Sequence, residues 1–184
     1  MKDDSKVKDS YIEVIPFGKI NQELLRYISK VIEEKFKLPS RVSQFVPVPR
    51  RIFDQARGQY NAGDLLAIIS QIRSHDSVKT LGVIDEDIFS KGLNFVFGQA
   101  TLGGCCGVIS LSRLRAGTNR PGGERLFLER VKKEAVHELG HTFGLRHCSD
   151  PRCVMYFSSG LADTDRKSAD FCEKCGRPMH LLRD

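Results

Sequence analysis

The chain has 184 residues, of which 40% are apolar, and this length and composition suit one compact domain with a single core. No run of eighteen apolar residues occurs, which excludes a membrane-spanning helix, so we expect no membrane partner. The formal charge of +6 suits an acidic partner, but the sequence lacks the aromatic platforms and the reading helix of nucleic-acid-binding proteins, and we expect no nucleic-acid partner.

Strands and helices are predicted to alternate along the first part of the chain. Residues 11–17 form a predicted strand, and apolar residues at helical spacing behind the capping residue Asn21 predict a helix over 21–37. A second strand is predicted at 42–48 and a second helix at 64–74. Three further strands are predicted, at 81–84, 94–100 and 108–114.

The order of these elements predicts a mixed sheet in a fold of the α/β class. Helices between the early strands imply right-handed crossovers and parallel pairing, whereas the short glycine-rich link between the last two strands suits antiparallel neighbours. A long helix is predicted after Gly123, with a sheet-facing stripe of Leu128, Val131, Ala135, Leu139 and Thr142. From Gly144 onward little regular structure is predicted apart from a short helix within 164–175.

The end of the long helix carries the motif H-E-L-G-H-T-F-G-L-R-H, which is typical of a hydrolytic zinc site. His137 and His141 lie one turn apart, so both imidazoles can bind one ion. Glu138 is close enough to take a proton from a zinc-bound water. Gly144 can end the helix so that His147 approaches from a loop. The alternative, a solvated helix with scattered histidines, has to place three of the chain's five histidines at ligand spacing by chance.

Two close cysteine pairs predict a second metal site of the structural type. Cys148 and Cys153 are followed after eighteen residues by Cys172 and Cys175, a spacing that matches a four-thiolate zinc site. Disulfides are the alternative, but the charged N-terminus shows no secretory signal, so we expect reduced thiols and a cytoplasmic protein. We call these four residues the cysteine cluster, and His137, His141 and His147 the histidine triad.

The adjacent residues Cys105 and Cys106 have no partner pair at ligand spacing. We interpret them as small buried residues at the start of a strand.

The spacing of the histidine triad, the cysteine cluster and Met155, followed by Phe157, Ser158 and Lys167, resembles the archaemetzincins, a family of the metzincin clan of zinc metallopeptidases. The resemblance implies a metzincin-like fold with a twisted mixed sheet and an active-site helix. It implies that the histidine triad binds a catalytic zinc, that Glu138 is the general base, that Met155 forms an apolar floor beneath the metal, and that the cysteine cluster binds a structural zinc. Two zinc ions per chain are therefore expected.

The same resemblance bears on substrate binding and on Tyr156. In metzincins the substrate backbone pairs with an antiparallel edge strand above the metal, for which 94–100 is the candidate here. In astacin-like members a tyrosine lies two residues beyond the turn methionine, whereas here Tyr156 follows Met155 directly, so we assign Tyr156 no role in stabilising the transition state.

The sequence therefore predicts a single metallopeptidase domain over 1–184. Residues 1–143 are expected to hold the sheet and active-site helix, and residues 144–184 a small subdomain stapled by zinc. We expect a monomer that hydrolyses peptides or proteins. The alternative is a non-catalytic binding module with two zinc ions, in which His180 closes the first site. Glu138 argues against it, because a closed structural site has no use for that carboxylate.

Overall fold

The computed structural model describes residues 10–180, and the side chains of 10–177. Eight strands and five α-helices are formed in this part of the chain. In chain order they are β1 (Tyr11–Phe17), α1 (Gln22–Phe36), β2 (Ser40–Val42), β3 (Phe53–Asp54), β4 (Gln59–Asn61), α2 (Ala62–Ile72), β5 (Ser77–Ile84), β6 (Ile88–Phe89), β7 (Gly98–Ala100), β8 (Cys106–Ser110), α3 (Gly123–Thr142), α4 (Leu161–Arg166) and α5 (Glu173–His180). Short 3-10 helices lie at Arg50–Ile52 and Arg113–Arg115.

The main sheet has five strands in the order β2-β1-β5-β8-β7. The first four are mutually parallel, and β7 pairs antiparallel with β8 at one edge. Strands β3, β4 and β6 form a second, smaller sheet. The predicted mixed sheet in an α/β fold is thus confirmed.

Helices cover both faces of the main sheet because its strands are apolar on both sides. All seven residues of β1 are buried, as expected for a central parallel strand. Ile12 and Val14 pack in a large core with α1 and α3, whereas Ile15 and Phe17 pack in a smaller core with α2. Since alternate residues of a strand point to opposite faces, α1 and α3 lie on one side of the sheet and α2 on the other.

Asparagine side chains cap the first two helices, and the cap of the first was predicted. The Asn21 side chain accepts hydrogen bonds from the backbone N–H groups of Glu23 and Leu24, at 2.7 and 3.3 Å. Asn61 caps α2 in the same way, through Gly63 and Asp64.

Several predicted boundaries are wrong, and each has a local reason. The strand predicted at 42–48 does not form: β2 ends at Val42, and Val46 makes only an isolated bridge to Phe17, because the prolines at 47 and 49 cannot donate to a ladder. The strand predicted at 108–114 ends at Ser110 and is followed by a 3-10 turn. Of the strand predicted at 94–100, only β7 pairs with β8.

The long helix predicted after Gly123 forms as α3, and it connects the sheet to the segment that follows Thr142. Of its predicted stripe all members are buried except Leu128, which is half-buried. The short helix expected within 164–175 is instead two helices, α4 and α5. No helix within residues 10–180 is long and apolar enough to cross a membrane.

One face of α3 holds α4 in place through charged side chains. Arg130 makes two hydrogen bonds to the Asp165 carboxylate, at 2.6 and 2.8 Å. Lys133 donates to the carbonyls of Thr164 and Asp165, and Glu134 accepts from the Thr164 hydroxyl at 3.3 Å. These three side chains lie at i, i+3 and i+4, so they share one helix face.

Candidate active site

The histidine triad converges at the C-terminal end of α3. His137 and His141 lie on its last two turns, and one ring nitrogen from each of the three histidines lies within 4.8 Å of the others. Gly144, with φ of +90°, ends the helix in the left-handed conformation. The backbone N–H of Leu145 then bonds to the carbonyl of Gly140, a helix end that turns the chain back and brings His147 towards the other two rings.

Backbone hydrogen bonds fix the tautomers of two of these histidines. Nδ1 of His137 lies 2.7 Å from the carbonyl of Val154, and Nδ1 of His141 lies 2.7 Å from the carbonyl of Leu145. A carbonyl only accepts, so both Nδ1 atoms carry the proton and, in the neutral rings, both Nε2 atoms carry a lone pair. These two Nε2 atoms lie 3.1 Å apart. Two facing lone pairs repel each other, and a cation bound by both nitrogens removes this conflict.

The environment keeps the three rings in the neutral form that binds a metal. Burial lowers the pKa of His137 well below its ordinary value, and burial also lowers the pKa of His141 and of His147. At neutral pH the triad therefore offers neutral imidazoles, the donor set of a catalytic zinc with a fourth position left for water.

Glu138 is buried beside the triad, and one of its oxygens has no partner. Its Oε2 atom makes no hydrogen bond to any residue in the described part of the chain. Burial raises the pKa of this carboxyl well above its ordinary value; the nearby Glu134 raises it further, and Lys167 opposes both effects. Burying a carboxylate oxygen without a hydrogen-bond partner costs free energy, so this atom is suited to accept a hydrogen bond from a bound water or substrate.

The edge strand β7 passes directly over Glu138 at Gly98. A Cβ atom at Gly98 would lie 2.6 Å from Cγ of Glu138 and 2.7 Å from its Oε1 atom, closer than non-bonded atoms approach each other. Only glycine lets the strand approach the carboxylate this closely. The edge strand predicted from the resemblance is therefore adjacent to the carboxylate, although it is shorter than expected.

A cavity of about 620 Å³ lies between β7 and the triad. One wall is formed by the segment that leads into β7, and the other by the loop that carries His147 and by the chain after Tyr156. Most of the lining surface is apolar, and its apolar residues include Leu93, Phe95, Val96, Phe97, Leu102 and Phe157. Its polar residues include Gln99, Glu134, Glu138, Arg146, Ser158 and the triad.

Met155 is fully buried against the active-site helix. A Cβ atom at Gly140 would lie 2.5 Å from the Met155 sulfur, so the thioether packs directly on the helix between His137 and His141. The backbone N–H of Cys148 donates to the Met155 carbonyl at 2.9 Å, which ties this turn to the loop of His147.

The cysteine cluster assembles as the spacing predicted. All six cysteines of the chain are free thiols, and the sulfurs of the cluster lie within 4.8 Å of one another. Sγ of Cys148 and Sγ of Cys172 are 3.7 Å apart, close to the separation of about 3.8 Å that four Zn–S bonds of about 2.3 Å impose in a tetrahedron. A backbone hydrogen bond from Cys175 lowers the pKa of Cys172 to about 7, which favours the thiolate form.

Sequence reasoning missed a buried ion pair next to the site. Nζ of Lys167 lies 3.0 Å from Oε1 of Glu134, and both side chains are almost fully inaccessible to water. Lys167 also donates to the carbonyl of Tyr156 at 3.5 Å. Glu134 lies one helical turn before Glu138, a spacing that marks it as a neighbour of the site, but nothing in the sequence connects it to Lys167.

The remaining cysteine pair belongs to neither the histidine triad nor the cysteine cluster. Cys106 begins β8 and is buried, as expected, whereas Cys105 is only half-buried; their Sγ atoms are 3.3 Å apart. Burial raises the pKa of Cys106 to about 12, so this thiol stays protonated.

Comparison with known proteins agrees with this geometry. Residues 9–181 match the family described as Peptidase family M54. The chain belongs to Peptidase family M54. The expectation of an archaemetzincin-type zinc metallopeptidase is thereby confirmed at the level of the family. The chain is 38% identical over 175 residues to an archaemetzincin of Pyrococcus furiosus, a match that covers 91% of each chain.

Solved structures of the family share the fold. The crystal structure of an archaemetzincin from Methanopyrus kandleri aligns with a TM-score of 0.84 at 35% identity, and the match covers 100% of both chains. A zinc-dependent peptidase from Methanocorpusculum labreanum aligns with a TM-score of 0.76 at 28% identity, covering 91% of this chain and 99% of that one.

Proposed function

We propose that the protein hydrolyses peptide bonds with one zinc ion held by the histidine triad and with Glu138 as general base. The observation that carries this proposal is the unpartnered Oε2 atom of Glu138, buried in the same cavity as three neutral imidazoles that converge on one point. A structural metal site does not need a free carboxylate beside it, whereas hydrolysis needs a proton acceptor there.

The chain's own residues account for positioning and for proton movement. Zinc in such a site lowers the pKa of its bound water to about 7 and polarises the scissile carbonyl. Glu138 takes the proton at Oε2 and later delivers it to the leaving amine. Met155 and the two backbone carbonyls bonded to Nδ1 hold the imidazoles in place.

The free edge of β7 is proposed to bind the backbone of the substrate. β7 lies at the end of the sheet order, so one side of it faces no other strand of that sheet. An extended peptide can add to this side by β-pairing and pass over Glu138. This proposal extends only along Gly98–Ala100 and not along the whole of 94–100, because the backbone N–H of Val96 already donates to the carbonyl of Ile88 at 3.0 Å.

The cysteine cluster is proposed to bind a second, structural zinc that staples residues 144–184 to the rest of a single domain. The described part of this segment consists of two short helices and loops, so a bound ion can add to its stability. Because Cys148 adjoins His147, the same ion holds the third histidine. The six free thiols suit a monomer acting in the reducing cytoplasm.

Cleavage of a quenched peptide library tests the proposed activity. We expect zinc-loaded protein to cleave it, chelator-treated protein to lose activity, and added zinc to restore it. Elemental analysis of the loaded protein is expected to give two zinc ions per chain. Two bound ions without cleavage of any library member would instead support the non-catalytic module; the histidine expected to close that module's first site, His180, has a side chain outside the described residues.

A further inference from the structure

The cavity beside the triad has one accessible charged side chain, that of Arg146. Among the charged residues that line it, Glu134 is paired with Lys167, and Glu138 is only 4% exposed. Arg146 is exposed and forms no ion pair with any residue from 10 to 177. Asp163 accepts two hydrogen bonds from Ser159 on the rim, but it is not part of the lining.

The backbone of Arg146 is fixed on both sides by the site itself. The carbonyl of Leu145 is bound to His141 at 2.7 Å, and His147 belongs to the triad. Arg146 therefore lines the cleft one residue away from His147 of the triad. A backbone fixed in this way reduces the conformational freedom that is lost when a ligand pairs with the arginine.

The surroundings of Arg146 strengthen its attraction for a carboxylate. Apolar side chains make up much of the same cavity, and three of them are about half exposed, namely Leu93, Leu102 and Phe157. A substrate that covers these side chains removes water from the cleft, so that a charge pair formed there is screened less than one on an open surface. A guanidinium also pairs with a carboxylate through two parallel hydrogen bonds.

We propose that Arg146 binds a carboxylate of the substrate peptide close to the scissile bond, so that the enzyme prefers peptides with an acidic group at that position. The proposal rests on the proposed peptidase function and names the substrate class for the same cleft. An acidic side chain and a C-terminal carboxylate carry the same chemistry, and peptides with blocked and free C-termini distinguish them.

Binding to Glu138→Gln protein loaded with zinc tests this proposal without consuming the peptides. The probes are fluorescent octapeptide pools, blocked at both ends, with one position fixed as Asp, Asn or Lys. We expect the Asp pool to bind about tenfold more tightly than the Asn pool at one position, with Lys weakest, and we expect added salt to reduce the difference. A matched set with a free C-terminus shows whether the terminal carboxylate is the group that is bound.

Two charge-reversal variants, each made in the Glu138→Gln protein, distinguish an effect of Arg146 itself from an effect of the net charge. Arg146→Glu should reverse the order so that the Lys pool binds best. Arg125→Glu changes the net charge equally on an exposed turn at the start of α3, outside the cavity, and should leave the order unchanged.

Equal binding of the Asp, Asn and Lys pools at every position, together with no effect of a free C-terminus, would overturn the role of Arg146. So would a preference that survives Arg146→Glu. A different result would reject the proposed function alone: zinc-loaded wild-type protein that binds these pools with the expected charge preference but cleaves none of them.

Discussion

Replacing Gly98 by alanine tests whether β7 sets the position of the general base. The new Cβ would lie 2.6 Å from Cγ of Glu138 and 2.7 Å from the Val108 carbonyl oxygen. Carbon atoms pack at about 3.5 Å or more, so the strand or the carboxylate has to move by roughly 1 Å. A misplacement of this size at a catalytic group costs on the order of 10²-fold in rate. Neither close contact involves the triad, so we expect Gly98→Ala to keep its zinc and lose about that factor in kcat/KM.

Gly107→Ala is the matched control on the neighbouring strand. Its Cβ would lie 3.4 Å from Cβ of Glu138, which requires at most a few tenths of an ångström of adjustment. We expect this variant to retain most of its activity. The measurement compares kcat/KM on one quenched peptide with zinc content and melting temperature for both variants and wild type. Full activity in Gly98→Ala, or equal losses in the two variants, would refute the positioning argument.

Three further outcomes follow from the cysteine cluster, the buried ion pair and the histidine triad. Cys172→Ser should lower zinc content from two ions to about one and reduce melting temperature and activity together, whereas Cys105→Ser should change none of them; elemental analysis and calorimetry check this. Lys167→Met should destabilise the protein by about 3–5 kcal/mol in denaturant unfolding, because it leaves the buried Glu134 without its partner. Adding Glu134→Gln to this variant should recover part of the lost stability. Metal-free protein should lose stability as the pH falls below about 6.5. The pKa values of the triad are lower in the folded protein than in the unfolded chain, so the unfolded chain binds more protons at that pH. Equal free energies of unfolding at pH 7.5 and 5.5 would contradict this.

The parts of the site that the sequence predicted are those set by local geometry. The triad lies within eleven residues, where helical spacing and one helix-ending glycine determine where the rings point. The cysteine cluster was predictable because the two cysteines of each pair are only a few residues apart in the sequence. The mixed pairing of the sheet followed from the length of the connections, but strand ends did not, because prolines and single bridges shorten β2 and β7.

The parts that the sequence did not predict depend on contacts between distant segments. The approach of Gly98 to Glu138 depends on the register of β7 on β8 and on how that edge packs over α3. The pair of Glu134 and Lys167 joins residues 33 positions apart; Lys167 belonged to the family resemblance, but nothing in the sequence pairs it with Glu134. Arg146 was part of the motif, but only the structure shows that it lines the cavity and is exposed, without a partner ion among the described residues.

Glu138→Gln tests the central claim most directly. The substitution keeps the size of the side chain and cannot accept the water's proton, and the triad is untouched. With zinc-loaded wild-type protein as reference, we measure zinc content, melting temperature and turnover of a peptide from the library. We expect unchanged zinc content, a melting temperature close to that of wild type, and turnover lowered by roughly 10²-fold or more. Full zinc-dependent hydrolysis by Glu138→Gln would show that some other group takes the proton and that Glu138 is not the general base.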